Sequence, residues 1–181
     1  MNQSVDDYRL PDHQPSVQTE LQYPESKHVY GRSGALCFSF GRKDERHVIN
    51  IEAANARGPR MFDWDKKIQI LIVEREVPHV LAVLNGLQTE FSASHHGQQR
   101  DKYFSIHLQQ DQVFARVGQG KNCVSVPIGI EDLFYLNTMM LTHISKNFPG
   151  CGPTELLTIL GRTYKTFNAG QGYQKVASNQ G

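Results

Sequence analysis

The chain has 181 residues, of which 39% are hydrophobic and 20% charged, a balance that fits one folded domain with terminal arms and excludes wholesale disorder. No apolar run approaches the ~20 residues that a membrane-spanning helix needs. The formal net charge of +1 is unevenly spread: residues 1–26 carry Arg9 against five acids (Asp6, Asp7, Asp12, Glu20 and Glu25), net −4, and the rest carries 18 bases and 13 acids, net +5.

The acidic start lacks a basic stretch followed by an apolar run, so neither a secretory nor a transit peptide is expected. Cys37, Cys123 and Cys151 are odd in number and widely spaced. That argues against a disulfide framework and against a cysteine-based zinc site. A reducing compartment, such as a bacterial cytoplasm, is the simplest expectation.

Residues 1–26 hold Pro11, Pro15 and Pro24 among polar residues and predict a flexible acidic arm. Strand signals follow near 27–31, 35–42, 47–56 and 66–73, each enriched in β-branched or aromatic residues. Gly31–Gly34 and Lys43–Glu45 are the expected hairpin connections, and residues 55–65, NARGPRMFDWD, a longer loop around Gly58–Pro59. Val77, Val80, Leu81 and Leu84 then recur at helical spacing, with Pro78 in a tolerated first turn and Gly86 as the stop. A second strand group is expected near 88–95, 101–109, 112–118 and 121–127, with turns at Gln110–Asp111 and Gly118–Gly120.

Residues 128–148 predict a long helix whose apolar stripe is Ile130, Leu133, Leu136 or Asn137, Met140, Leu141 and Ile144. Pro149, Gly150, Gly152 and Pro153 break the chain, and a short helix near 154–167 carries Leu156, Leu157, Leu160 and Tyr164. The order of four strands, helix, four strands, helix predicts an α+β fold of two four-stranded antiparallel sheets with helices covering one side. The expected units are the arm over 1–26, a β-rich domain over 27–148, a helical extension over 149–168 and a disordered tail over 169–181.

Alternation sorts the strand residues onto two faces. Ile49, Ile51, Ile68, Ile70, Ile72, Phe104, Ile106, Leu108, Val113, Ala115, Val117, Val124 and Val126 face a core. Asn50, Lys67, Gln69, Tyr103, Ser105, His107, Phe114, Arg116, Lys121, Cys123 and Ser125 face away. Residues 36–40 read either way. An outer face of aromatics, bases and small polar groups suits single-stranded nucleic acid, because bases stack on rings for about 1–3 kcal/mol each while Lys and Arg follow the phosphates. The same mixture also occurs at protein interfaces.

Three stretches carry a family resemblance. Gly31-Arg32-Ser33-Gly34-Ala35-Leu36 is similar to the Lys-Gly-Lys-Ala-Ala-Leu motif that opens the second strand of the Whirly proteins, with Arg32 and Ser33 standing where that motif has Gly and Lys. Phe62-Asp63-Trp64-Asp65-Lys66-Lys67 resembles the aromatic-Asp-Trp segment before their fourth strand. Val124-Ser125-Val126-Pro127-Ile128 and the acidic apolar helix after it resemble their last strand and long helix. The related mitochondrial RNA-matchmaker proteins share the pattern, which covers roughly residues 27–148. The resemblance implies two antiparallel sheets set like propeller blades, a helix-stabilised homotetramer, single-stranded DNA or RNA as partner with weak sequence preference, and no catalytic residues, metal or cofactor. It makes Arg32, Trp64, Lys66 and Lys67 candidates for the site. The faces add Asn50, Tyr103, Phe114 and Arg116, and Tyr30 and Lys102 complete the candidates, as a ring and a cation near them. A lone Trp beside a strand is also a common core anchor.

Other chemistries fit less well. His95 and His96 are adjacent and would point to opposite faces of a strand, which makes them poor co-ligands even with His79 or His107 nearby. A nucleobase deaminase needs a His-x-Glu and a Pro-Cys-x-x-Cys element, and the sequence has neither. The glycines of GRSG and GQGK do not make a phosphate loop. No RNP-like aromatic segment supports an RNA-recognition-motif sheet. The alternative from another class is a protein-interaction module that keeps the fold and uses the same sheet faces without nucleic acid.

Overall fold

A computed structural model describes residues 25–178 except Asp111, with side chains described through residue 168. The first group of alternating strands gives β1 (Ser26–Tyr30), β2 (Gly34–Lys43), β3 (Arg46–Gly58), β4 (Met61–Phe62) and β5 (Ile68–Ile72). Their sheet has the spatial order β1-β2-β3-β5, antiparallel throughout, with the two-residue β4 folded back on the end of β3. The second group gives β6 (Glu90–His96), β7 (Lys102–Gln109), β8 (Gln112–Gln119) and β9 (Asn122–Ile128) in a plain antiparallel meander. Pro127 is tolerated because β9 is an edge strand paired with β8 alone.

Register explains which side chains meet. Val29, Leu36 and Ala53 share a row across the first sheet, as do Phe38, Ile51 and Ile70. Ala93, Phe104, Val117 and Val124 form a row across the second. All of these but the partly buried Ala93 are fully enclosed, and they join α1 and α2 in one continuous core. At about 25 cal/mol per Å² of apolar surface removed from water, that core is the main stabilising term. Residues 36–40, which the pattern left open, place Leu36 and Phe38 in the core and Cys37 on the other face, where it is nonetheless buried.

Helix α1 (Val77–Leu84) joins the two sheets, with Pro78 in its first turn. Glu76, buried at its N-terminus, accepts the Val73 amide at 3.1 Å. Helix α2 (Ile130–Ser145) buries Leu136, Met139, Met140, Leu141 and Ile144. Its C-terminal end is fastened to the β2–β3 hairpin: Asn147 exchanges two hydrogen bonds with the His47 backbone, at 2.7 and 2.8 Å, and the His143 ring meets the Gly41 carbonyl at 2.9 Å. Helix α3 (Pro153–Ser178) buries Leu160 and packs Leu156 and Tyr164 on the core. No helix among the described residues is long and apolar enough to cross a membrane.

The structure corrects several expectations. Residues 55–65 are not one long loop: β3 continues to Gly58, turns at Pro59–Arg60 and returns as β4, so the first sheet has five strands. The Pro59 ring presets the first turn position, and Arg60 takes the left-handed φ of +58° at the second. Helix α3 runs well past 167, because no proline interrupts 154–178 and an internal glycine costs only about 1 kcal/mol against alanine. Ile130 is 76% exposed and Leu108 42% exposed, since both lie at the ends of their elements, where periodicity still holds but the core has ended. Met139 and Met140 both face this chain's own core, leaving Ile130, Phe134 and Tyr135 as the exposed apolar part of α2. Of the arm expected over 1–26, residues 1–24 lie outside the described residues.

Candidate nucleic-acid interface

On the outer face of the first sheet, His28 and Tyr30 project from β1, because Val29 between them points into the core. The two rings stack at 5.9 Å with 13° between their planes. Phe62 of β4 lies 5.4 Å from Tyr30, and Trp64 meets His28 edge-on at 5.6 Å. Trp64 stands at the start of a short 3₁₀ turn (Trp64–Lys66), half buried and outside the core cluster. Tyr30, Phe62 and Trp64, with Arg32, Arg57 and Arg60, line an open groove of about 1090 Å³ floored by Gly31, Ala56 and Gly58. Its chemistry is that of a stacking platform with cations on its rim.

Asp63, the acid of the DWDKK segment, holds the groove wall together. Its amide donates to the Asn55 carbonyl at 2.9 Å, and its carboxylate pairs with Arg57 at 2.6 Å. Arg57 is thereby tied to Asp63 while its side chain stays half exposed.

The second outer face is flatter. Tyr103 lies across Gly118, where any Cβ would run into the ring. The neighbouring exposed Cys123 side chain, and after it partial burial, raises the Tyr103 pKa. Phe114 stacks on His107 at 5.6 Å with 12° between planes. Arg116 stands exposed between Ser105 and Ser125 in the cross-strand row, and it forms no ion pair among the described residues.

The two faces meet at the β1–β2 turn. Ser33 donates to the Ser125 carbonyl at 3.3 Å, and Asn55 bonds Asn122 at 2.9 Å. A Cβ on Gly34 would sit 2.8 Å from the Ala54 carbonyl oxygen and collide with Val124, so only glycine lets β2 approach β9 this closely. Arg32, exposed in the same turn, stands on the rim of the groove at this junction.

The remaining sequence candidates lie apart. Lys66 is exposed beside Trp64 and makes no ion pair among the described residues. Lys67 is held by Glu52 at 2.9 Å. Lys102 belongs to the inward parity of β7, and its ammonium donates to the Gln69 carbonyl at 3.1 Å, bridging the two sheets. Asn50 sits between Ser39 and Leu71 in mid-sheet, away from the aromatic groove. His95 and His96 separate: His95 bonds Ser94 at the surface, and the His96 ring lies buried 3.1 Å from Glu76. Among the described residues no three His, Cys, Asp or Glu side chains gather as metal ligands.

Sequence reading missed His28, Arg57, Arg60 and Phe62. His28 and Tyr30 flank Val29 at strand spacing, which was a legible signal. Arg57, Arg60 and Phe62 were hidden because their segment was read as a loop, to which no face can be assigned.

No known family model matches the sequence, and no curated protein matches it. Solved structures do match in fold. The plant transcriptional regulator PBF-2 is 14% identical, with 64% of this chain and 77% of that chain covered and a TM-score of 0.50. WHY3 from Arabidopsis thaliana is 14% identical over 71% of this chain and 90% of its own, with a TM-score of 0.50. WHY1 from Arabidopsis thaliana is 15% identical over 71% and 93%, with a TM-score of 0.52.

Proposed function

We propose that this chain, which has a Whirly-like fold, is a non-catalytic single-stranded nucleic-acid-binding protein with weak sequence preference. Single-stranded DNA is the first ligand in this reading, and RNA is accepted by the same chemistry. The observation that carries it is the groove lined by the rings of Tyr30, Phe62 and Trp64 together with Arg32 and Arg60, and with Arg57 held beside them by Asp63. Bases stack on the rings, and the guanidinium groups follow the phosphates. Because every base has a π-face, such a surface discriminates little between sequences.

From the groove the strand passes Arg32 at the junction of the sheets and crosses to Arg116, Tyr103 and Phe114. Lys66 adds a phosphate contact at the groove end. Lys67 and Lys102 play a structural part, as their ammonium groups are already engaged by Glu52 and by the Gln69 carbonyl. The domain over 27–148 holds the whole interface. A homotetramer belongs to the same proposal, and exposed Ile130, Phe134 and Tyr135 on α2 supply apolar area for a subunit contact. Three free thiols suit a reducing, cytoplasm-like compartment.

The test is a fluorescence-anisotropy titration of a labelled single-stranded DNA of about 30 nucleotides, its duplex and the matching RNA, at two salt concentrations. Binding that favours the single strands and weakens with salt supports the reading. No binding to any of them leaves the fold in place and turns the sheet faces over to a protein partner.

A further inference from the structure

The β3–β4 hairpin projects beyond the sheet that carries it. β3 makes its last pair with β2 at Gly34 and Asn55, yet the strand continues to Gly58 before turning. Nothing stands within 4 Å of where a side chain on Gly58 would begin, so the hairpin is open on that side. The tip residues Pro59, Arg60 and Met61 are all exposed, Met61 at 62%. The hairpin base is stiff: the Arg57–Asp63 pair spans it at 2.6 Å, and the Asp63 amide is bonded to Asn55.

The turn carries a second signal. A turn with proline first and a left-handed second residue favours glycine or asparagine at that second position. Here the position holds Arg60 at φ +58°. Arg60 is one of six non-glycine residues with positive φ among the described residues, and it sets a long cation at the tip. The result is an exposed apolar point, Pro59 and Met61, with the Arg60 guanidinium between them in the chain, and Pro59 and Arg60 also line the aromatic groove.

We infer that this hairpin is a wedge that opens duplex ends and forks, feeding the released strand into the groove. The inference rests on the single-strand reading above. Pro and Met are among the side chains that insert between base steps and unstack them. Arg60 holds a phosphate beside the opened step. The first released base stacks against Phe62 and Tyr30. Stacking one base on a ring recovers about what is lost from one base-pair step. Opening is therefore confined to ends, forks and mismatches, where only a few steps need to break, and a long intact duplex stays closed. No bond is made or broken and no nucleotide is consumed.

The experiment uses the full chain and a forked DNA duplex of about 12 base pairs carrying a fluorophore and a quencher on opposite strands at the fork. Opening is read as fluorescence gain, and affinity for an unstructured single strand is measured in parallel. The parent protein is expected to open the fork. Met61→Ser is expected to lower opening at least fivefold while single-strand affinity changes by less than about twofold, and Met61→Leu, which keeps an apolar tip, is expected to restore it. Thermal melting of each variant verifies folding, which an exposed position should leave unchanged. Equal opening by Met61→Ser and the parent overturns the wedge, and so does a parallel fall in opening and affinity. A parent that binds single strands without opening the fork overturns the wedge alone. A parent that binds no single strand overturns both readings.

Discussion

The two sheets present different outer faces from the same alternation rule. On the second sheet, Tyr103, Phe114 and Arg116 come from regular strands, and their placement follows from parity alone. On the first sheet two of the cations are used internally: Lys67, just before β5, is paired with Glu52 and Lys27 of β1 with Asp132 at 2.7 Å. Its cations at the groove come from turns, Arg32 between β1 and β2 and Arg60 at the tip of β3–β4, while Arg57 is paired with Asp63 at 2.6 Å. Its aromatic rings come from β1, β4 and the 3₁₀ turn and form a chain of contacts, Trp64–His28–Tyr30–Phe62, each under 6 Å. On the proposed reading, the strand-built face offers separate stacking contacts, whereas the groove gathers rings from several segments in one place. The first face should therefore dominate affinity.

The largest effect sharpens that contrast. Trp64→Ala should weaken single-strand binding by roughly 2 kcal/mol, or about thirtyfold, from the lost stacking. Phe114→Ala on the flat face should cost about fivefold at most, the lower end of the same range. Equal losses in the same anisotropy titration would end the idea that the groove leads.

Gly118→Ala comes next. The new methyl would displace the Tyr103 ring that covers it, and a cost of about 1–3 kcal/mol in stability is expected from overpacking. Thermal unfolding gives the cost directly. An unchanged Tm would mean that Tyr103 is free to swing aside and is not a fixed platform.

A smaller effect separates two neighbours on the first sheet. Lys66→Ala should reduce the slope of log affinity against log salt by about 0.7, the value for one phosphate contact on a single strand. Lys67→Ala should leave the slope almost unchanged, because Glu52 already occupies its ammonium. The reverse ranking would place the phosphate path on the other side of Trp64.

The smallest effect concerns pH and only the first sheet, where α2 is fastened. Burial is the main cause holding both His47 and His143 below the usual imidazole range. Arg42 and Lys146 push His47 further down, and His47 and Lys146 act on His143, whose bond to the Gly41 carbonyl partly opposes the shift. The unfolded chain therefore takes up protons at these positions before the folded chain does. Stability is full above the unfolded value of about 6.5 and declines as the pH falls from there toward the folded values. Melting curves across that window should give a falling Tm, flattened in the double variant His47→Gln, His143→Asn. A Tm independent of pH in the parent would remove this contribution.

Much of the architecture was legible because strand alternation and helical spacing are local. Ile68, Ile70 and Ile72, or Val113, Ala115 and Val117, declare their common face without reference to anything distant, and all six are buried. Leu136, Met140 and Ile144 did the same for α2. The ends of elements were less legible: Ile130 and Leu108 continue the pattern after the core has run out. Parity also placed Lys102 beside Phe104 and Ile106, on the side opposite Tyr103, so a candidate chosen for its charge alone proved to bridge the sheets.

The amino-acid sequence by itself determined two antiparallel sheets with helices between and after them, and an outer face on β7–β9 where rings and bases alternate. These follow from side-chain period and turn chemistry within a few residues. Only the tertiary structure decided that Trp64 lines a groove, that Asp63 orients Arg57 and that Lys67 is neutralised by Glu52. It also decided that Gly34 lets the two sheets touch beside Arg32. Each of these depends on contacts between segments far apart in the chain or on the geometry of a turn, and an ion pair or a ring cluster leaves no periodic trace in the sequence.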